Sequence, residues 1–281
     1  MPYLETADTP RMYYEVHGRK TDRAVVLIHP IGGNTEIWNN EIKIMLERKI
    51  RVIAYDLRGH GRSEIGKIQP YIMHDLVNDL RNLLDHLGVE KCSFVGHSIG
   101  GQISCIFAVT YPDRVQSLVI ISSSSESIPD LDLEKHHGTR RLAREKGMEA
   151  LAEETMNEHE VAREAFQNKR KRETFARIFT KTTVEGFSSA TVALYSIPRS
   201  VTKSLGAVAI PISGIVGSDD EVFVRLMRQM QKEIPRMKLR IVKGDHWVIV
   251  ESHEAFDRAF EESLDDTVLL QESRQAREEK E

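Results

Sequence analysis

The sequence predicts an α/β protein with a doubly wound, mostly parallel sheet and one helical lid insertion. Two observations lead there. Short apolar, β-branched runs alternate with segments of helical period along most of the chain, and strands separated by helices pair in parallel. The alternation then stops over about 80 residues in mid-chain, a gap too long for a loop. A length of 281 residues suffices for one large core carrying an inserted subdomain.

Taken in order, YLETAD and RMYYEV have the pattern of an antiparallel pair at one sheet edge. Ala24 to His29 (AVVLIH) is a buried strand ended by Pro and Gly. TEIWNNEIKIMLER follows as a helix, and Ile50 to Asp56 (IRVIAYD) as the next strand. YIMHDLVNDLRNLLDHLG places apolar residues at 72, 76, 80, 83, 84 and 87 and stops at Gly88, a helix with a glycine end. Lys91 to His97 is a strand, Ser98 to Thr110 a helix, and Val115 to Ile121 a strand. Strands at Ile210 to Gly217 and Met237 to Lys243 precede helices at Glu221 to Glu233 and Ser252 to Leu264. The expected organisation is core over 1–123, helical lid over 124–205, core again over 206–264, and a polar tail over 265–281 that frays.

Composition narrows the function. Hydrophobic residues are 40%, charged residues 29% and net charge is -4, so nothing favours nucleic acid or an anionic membrane as partner. The N-terminus lacks the basic and apolar regions of a signal peptide, and no apolar run nears the ~20 residues that span a bilayer. Two cysteines, Cys92 and Cys105, make no disulfide framework; they read as reduced core residues in a cytoplasmic protein. No motif requires a cofactor or a metal.

The chemistry centres on FVGHSIGGQIS. Ser98 stands between a strand and a helix, at a strand carboxyl end where parallel sheets bind ligands. Gly96 and Gly100 flank it as G-x-S-x-G, the strained turn that lifts a serine hydroxyl into a site. The Ile99 N–H, at the positive end of the helix, can then face an oxyanion. A serine hydroxyl needs a base, and the base an orienting acid, downstream in the order serine, acid, histidine. His246, after a strand and a glycine, is the general base; His97 neighbours Ser98 but its side chain should point away. Asp219 and Asp220 share the turn after the strand PISGIVG, with Glu221 next, and an adjacent pair cannot both face His246. Asp245 is badly placed to orient it. The loop after the first core strand, His29-Pro30-Ile31-Gly32-Gly33, supplies Ile31 as second oxyanion donor. His74 and His86 are helix residues, His253 opens a helix, and His136 and His137 sit in the polar lid.

These segments together resemble the α/β-hydrolase fold family over about residues 10 to 264, on LIHPIGG, VIAYDLRGHGRSE, FVGHSIGGQIS, GIVGSDDEV and KGDHWVIVESHEAF. In that family the acid often stands three residues after the glycine closing its strand, which implies Asp220 rather than Asp219. The usual proline after the acid is missing, and Pro30 stands where the family commonly has glycine. The DLRGHGRS segment is read as structural. The insertion is similar, more weakly, to that of the 3-oxoadipate enol-lactonases, on RRLAREKGMEALAEETM and FTKTTVEGFSSATVAL; a tryptophan expected next is replaced by NEHE. Serine rather than aspartate at the turn favours acyl transfer to water over epoxide opening or dehalogenation.

The expectation is a cofactor-free serine hydrolase of a small ester or lactone, with catalytic residues Ser98, Asp220 and His246 and oxyanion donors Ile31 and Ile99. Alternatives on the same fold are a carbon–carbon bond hydrolase, a perhydrolase, and a ligand-binding receptor with little turnover. In the lid, Met148, Leu151, Phe175 and Phe179 either face the substrate or pack the lid on the core. Trp38 and Trp247 are expected to pack.

Overall fold

The computed structural model describes residues 3–6, 9–127, 130–196 and 200–270, and only the backbone at 130–136 and 253. The side chains of His136 and His253, and the tail beyond residue 270, lie outside the described residues. Of the tail expected to fray from 265, residues 265 and 266 instead complete the helix His253–Asp266, and Val268 is buried in the core with its carbonyl bonded by Arg23. Among those described, eight strands form one sheet: β1 (Tyr3–Leu4), β2 (Met12–His17), β3 (Arg23–Ile28), β4 (Ile50–Tyr55), β5 (Cys92–His97), β6 (Val115–Ile121), β7 (Ile212–Gly217) and β8 (Lys238–Val242), in the order β1-β2-β4-β3-β5-β6-β7-β8. β1–β2 and β2–β4 pair antiparallel at one edge; every other pairing is parallel.

The central strands are buried on both faces because helices cover both. Alternate side chains of β3 divide between two cores: Val26 and Ile28 face one, Val25 and Leu27 the other. The first core is closed by α2 (Met73–His86), α3 (Ile99–Thr110) and α9 (Glu221–Glu233), through residues such as Leu80, Phe107 and Met227. The second is closed by α1 (Asn39–Glu47) and α11 (His253–Asp266), through Ile42, Met45, Phe256 and Phe260. Between β6 and β7 run α4 (Asp130–Asn157), α5 (Glu160–Ala165), α6 (Lys169–Phe179), α7 (Val184–Tyr195) and α8 (Thr202–Ala207). α4 is broken at Gly147, whose φ is 85°.

Local chemistry explains where elements depart from the sequence pattern. β7 starts at Ile212, not at Ile210, because Pro211 offers β6 only its carbonyl, to Leu118 N–H at 3.0 Å. The apolar VIVE, strand-like by composition, closes a short helix α10 (Val248–Glu251) when the Val250 and Glu251 N–H groups bond the Trp247 carbonyl. The chain places β4 on one side of β3 and β5 on the other. This reversal of winding opens a crevice at the carboxyl ends of β3 and β5, and Ile31 and Ser98 follow those two strands.

Candidate active site

Ser98 sits between β5 and α3 with φ 53° and ψ -118°, a backbone state that costs a non-glycine residue roughly 1–3 kcal/mol and persists only where neighbours enforce it. Its N–H donates to the Ile121 carbonyl at 2.9 Å, and its carbonyl accepts from Gly101 N–H at 2.9 Å and the Ser123 hydroxyl at 2.6 Å. The flanking glycines permit the turn. A Cβ on Gly96 would lie 2.3 Å from the Gly100 carbonyl oxygen, and one on Gly100 2.1 Å from the Ile28 carbonyl oxygen. Both obstacles are main chain and cannot rotate aside.

The structure brings Ser98, His246 and Asp220 together. His246 Nε2 is 3.0 Å from Ser98 Oγ, and His246 Nδ1 is 2.8 Å from Asp220 Oδ2. A carboxylate only accepts, so Nδ1 carries the proton and Nε2 is free to accept one from the serine hydroxyl. Asp220, 7% exposed, stands at the start of α9 just past β7. Asp219 is exposed and accepts instead from the hydroxyl of its own neighbour, Ser218, at 3.0 Å.

Three buried side chains hold the turn that carries His246. The Asp245 carboxylate accepts the His246 N–H at 2.7 Å, and Glu251 accepts the Asp245 N–H at 2.6 Å. The ring of His97 donates Nε2–H to the His246 carbonyl at 2.8 Å. Burial pushes His97 down to about 3, with the neighbouring His246 adding to it, so the ring is a neutral donor. Burial also raises Asp245, and brings Glu251 to about 7. Only the His97 contact crosses between strands; the Asp245 and Glu251 bonds are local to the turn after β8, and they depend on how that turn folds back on α10.

The loop after β3 is tied from below. His29 Nδ1–H donates to the Pro30 carbonyl at 2.8 Å, and His29 Nε2 accepts the Leu57 N–H at 2.8 Å. The DLRGHGRS segment braces it: buried Asp56 accepts N–H bonds from Thr35 at 2.7 Å and Arg62 at 2.8 Å. From above, Phe179 closes over Gly32, where a Cβ would come within 2.4 Å of the ring. Ile99 is buried at the start of α3, and Ile31 lines the space above Ser98.

That space is a cavity of about 510 Å³. Of the four lid residues considered, Leu151 and Phe179 line it; Met148 and Phe175 are buried elsewhere in the core. Trp38 is fully buried. Trp247 packs as expected, edge-on against Phe175 at 4.8 Å between ring centres, and it also lines the cavity, because the turn after β8 brings it beside His246. His159, at the start of α5, also reaches the cavity; polar lid sequence gave no reason to single it out. Cys92 and Cys105 are free and buried, their thiols pushed up to about 12, and serve packing. Among the described residues no group of His, Cys, Asp or Glu could hold a metal ion, and no helix is long and apolar enough to cross a membrane.

Residues 23–252 match the family model described as the alpha/beta hydrolase fold. A solved structure from Nitrososphaera gargenis, from work on carboxylesterases, is 47% identical, with 91% of this chain and 95% of that one covered and a TM-score of 0.86. A 3-oxoadipate enol-lactonase from Acinetobacter baylyi is 27% identical over 91% of this chain and 94% of its own length. A Variovorax paradoxus protein named as a carbamate hydrolase is 37% identical over 41% of this chain; the match spans only 43% of that relative.

Proposed function

The chain belongs to the α/β hydrolase fold family, and on that premise we propose that it is a serine hydrolase of a small carboxylic ester or lactone. The observation that carries this reading is the hydrogen-bonded run from Ser98 Oγ through His246 to Asp220, 3.0 and 2.8 Å long, beneath a cavity of about 510 Å³. Ser98 Oγ attacks the substrate carbonyl as His246 Nε2 takes its proton. Asp220 fixes the imidazole tautomer and stabilises the imidazolium. The N–H groups of Ile31 and Ile99 bind the oxyanion, the kind of donor whose loss costs ~10²–10³ in turnover. His246 returns the proton to the leaving oxygen, then activates the water that releases the acyl group from Ser98.

In the same proposal, α4 to α8 form a lid that shapes the pocket and shields it from bulk water. The named activities of the Nitrososphaera and Acinetobacter relatives fit an ester or lactone carbonyl. Two buried free thiols fit a reducing, cytoplasmic setting.

The test is hydrolysis of p-nitrophenyl acetate and butyrate by the wild type beside Ser98→Ala. Turnover by the wild type alone supports the proposal. Equal rates for both proteins would remove Ser98 from the chemistry.

A further inference from the structure

The cavity above Ser98 has walls of two kinds. Apolar side chains such as Leu151, Phe179, Phe187, Phe223 and Trp247 form one part. Carboxylates form the other: Glu158, Asp219 and Glu221 on exposed positions, Asp245 and Glu251 on buried ones, beside Asp220 of the hydrogen-bonded run. Among the described residues, no lysine or arginine lines it.

This absence is informative because the lid is rich in cations. α6 and the turn after it carry Lys169, Arg170, Lys171, Arg172, Arg177 and Lys181. Their recorded partners lie elsewhere: Arg172 pairs with Glu153, and Arg177 and Lys181 with Glu36. Lys171 gives its ammonium to the main-chain carbonyl of Glu251 at 3.2 Å and does not line the cavity. Inside, the basic side chains among the described lining residues are histidines. His246 is engaged by Asp220, and His159 stands 3.5 Å from Asp245 and 3.7 Å from Glu158. Asp220 adds to the burial that raises both Asp245 and Glu251, so negative charge is already crowded here.

We infer that this site takes esters and lactones that are neutral or cationic and rejects those carrying a carboxylate. The inference rests on the proposed hydrolase reading and names its substrate class. An anionic substituent would leave water for a cavity whose described walls offer it no guanidinium or ammonium and several carboxylates. At an effective dielectric near 20, one like charge about 8 Å away already costs about tenfold or more. A cationic substituent meets carboxylates and aromatic side chains, whose ring faces attract a cation. Hydrolysis itself makes a carboxylate, so the same field favours release of the acid product.

The test compares three p-nitrophenyl esters on the full chain, each corrected with Ser98→Ala: pentanoate, hemisuccinate (a carboxylate replacing the terminal ethyl group) and 4-(trimethylammonio)butanoate. We expect kcat/KM for the hemisuccinate to be about thirtyfold or more below pentanoate, and the cationic ester to match or exceed pentanoate. The gap should narrow as ionic strength rises from about 0.02 to 0.5 M, and Asp219→Asn with Glu221→Gln should raise the hemisuccinate-to-pentanoate ratio at least about fivefold. Binding to Ser98→Ala, read by quenching of Trp247 fluorescence, ranks methyl pentanoate against monomethyl succinate without turnover. Equal binding of those two, equal hydrolysis of pentanoate and hemisuccinate, or a gap indifferent to salt would overturn the inference. Failure of the wild type to exceed Ser98→Ala on all three esters would instead overturn the hydrolase reading, with the binding ranking still deciding the charge preference.

Discussion

Asp220→Asn is the substitution that most sharply separates the proposed acid from its neighbour. The wild-type contact is a 2.8 Å bond between a carboxylate that is 7% exposed and an imidazole N–H. Asparagine keeps the size and removes the charge. With its amide nitrogen toward His246 it donates to Nδ1, which forces the proton onto Nε2, 3.0 Å from Ser98 Oγ. A protonated Nε2 cannot accept the serine proton. The loss of the correct tautomer and of imidazolium stabilisation should lower kcat by about 10³–10⁴, or roughly 4–5.5 kcal/mol of barrier. Asp219 bonds Ser218 instead, so Asp219→Asn should lose at least about a hundredfold less. The assay is p-nitrophenyl butyrate hydrolysis over a full concentration range, with circular dichroism and thermal unfolding on each variant. A folded Asp220→Asn protein within tenfold of wild type, or a larger loss for Asp219→Asn, would refute the assignment.

Three further outcomes are expected. Gly100→Ala should fail to give folded protein, because the new methyl would lie 2.1 Å from the Ile28 carbonyl; a folded, active variant by circular dichroism and turnover would show that the turn is more tolerant than its geometry implies. Replacing the Ile31 N–H by an ester oxygen, through incorporation of the hydroxy acid, should reduce kcat by about 10²–10³ with the fold intact; unchanged kcat would place the second oxyanion donor elsewhere. Glu41, buried and with both carboxyl oxygens unpartnered among the described residues, is pushed up to about 8, mainly by burial. Because its folded value lies above the unfolded one, stability is full below about 4.5, falls as pH rises, and the penalty is complete above about 8. Glu41→Gln should therefore be more stable than wild type at pH 8.5, by up to about 4 kcal/mol, with the advantage shrinking toward pH 5; parallel melting curves across that range would contradict it.

The parts of the fold legible from sequence are those whose constraints are local. β4, β5 and β7 are buried along their whole length, so they appear as unbroken apolar runs. The Ser98 turn is visible because Gly96 and Gly100 meet main chain in positions that no side chain can occupy. The edge strand β8 is weaker, with only exposed and half-buried positions, yet its turn could be found from the glycine and histidine that follow. What the sequence did not disclose depends on groups that meet only after folding. Asp245 looked badly placed for the imidazole; it binds the His246 main chain, and Glu251 in turn binds the Asp245 main chain. Trp247 as cavity wall and His159 beside Asp245 arise from the way α5 and α6 settle over the β8 turn. The charge of the cavity is likewise hidden, because the abundant cations of α6 give no sequence sign of pairing elsewhere.

The central claim is that Ser98 forms a covalent acyl intermediate, and mass spectrometry of the labelled protein tests it most directly. Treatment with a fluorophosphonate should add one phosphonyl group per chain, map to the peptide containing Ser98, and abolish hydrolysis of p-nitrophenyl butyrate in step with labelling. His246→Ala should label far more slowly, since the hydroxyl loses its base. An adduct on another residue, or full labelling with hydrolysis undiminished, would contradict the account.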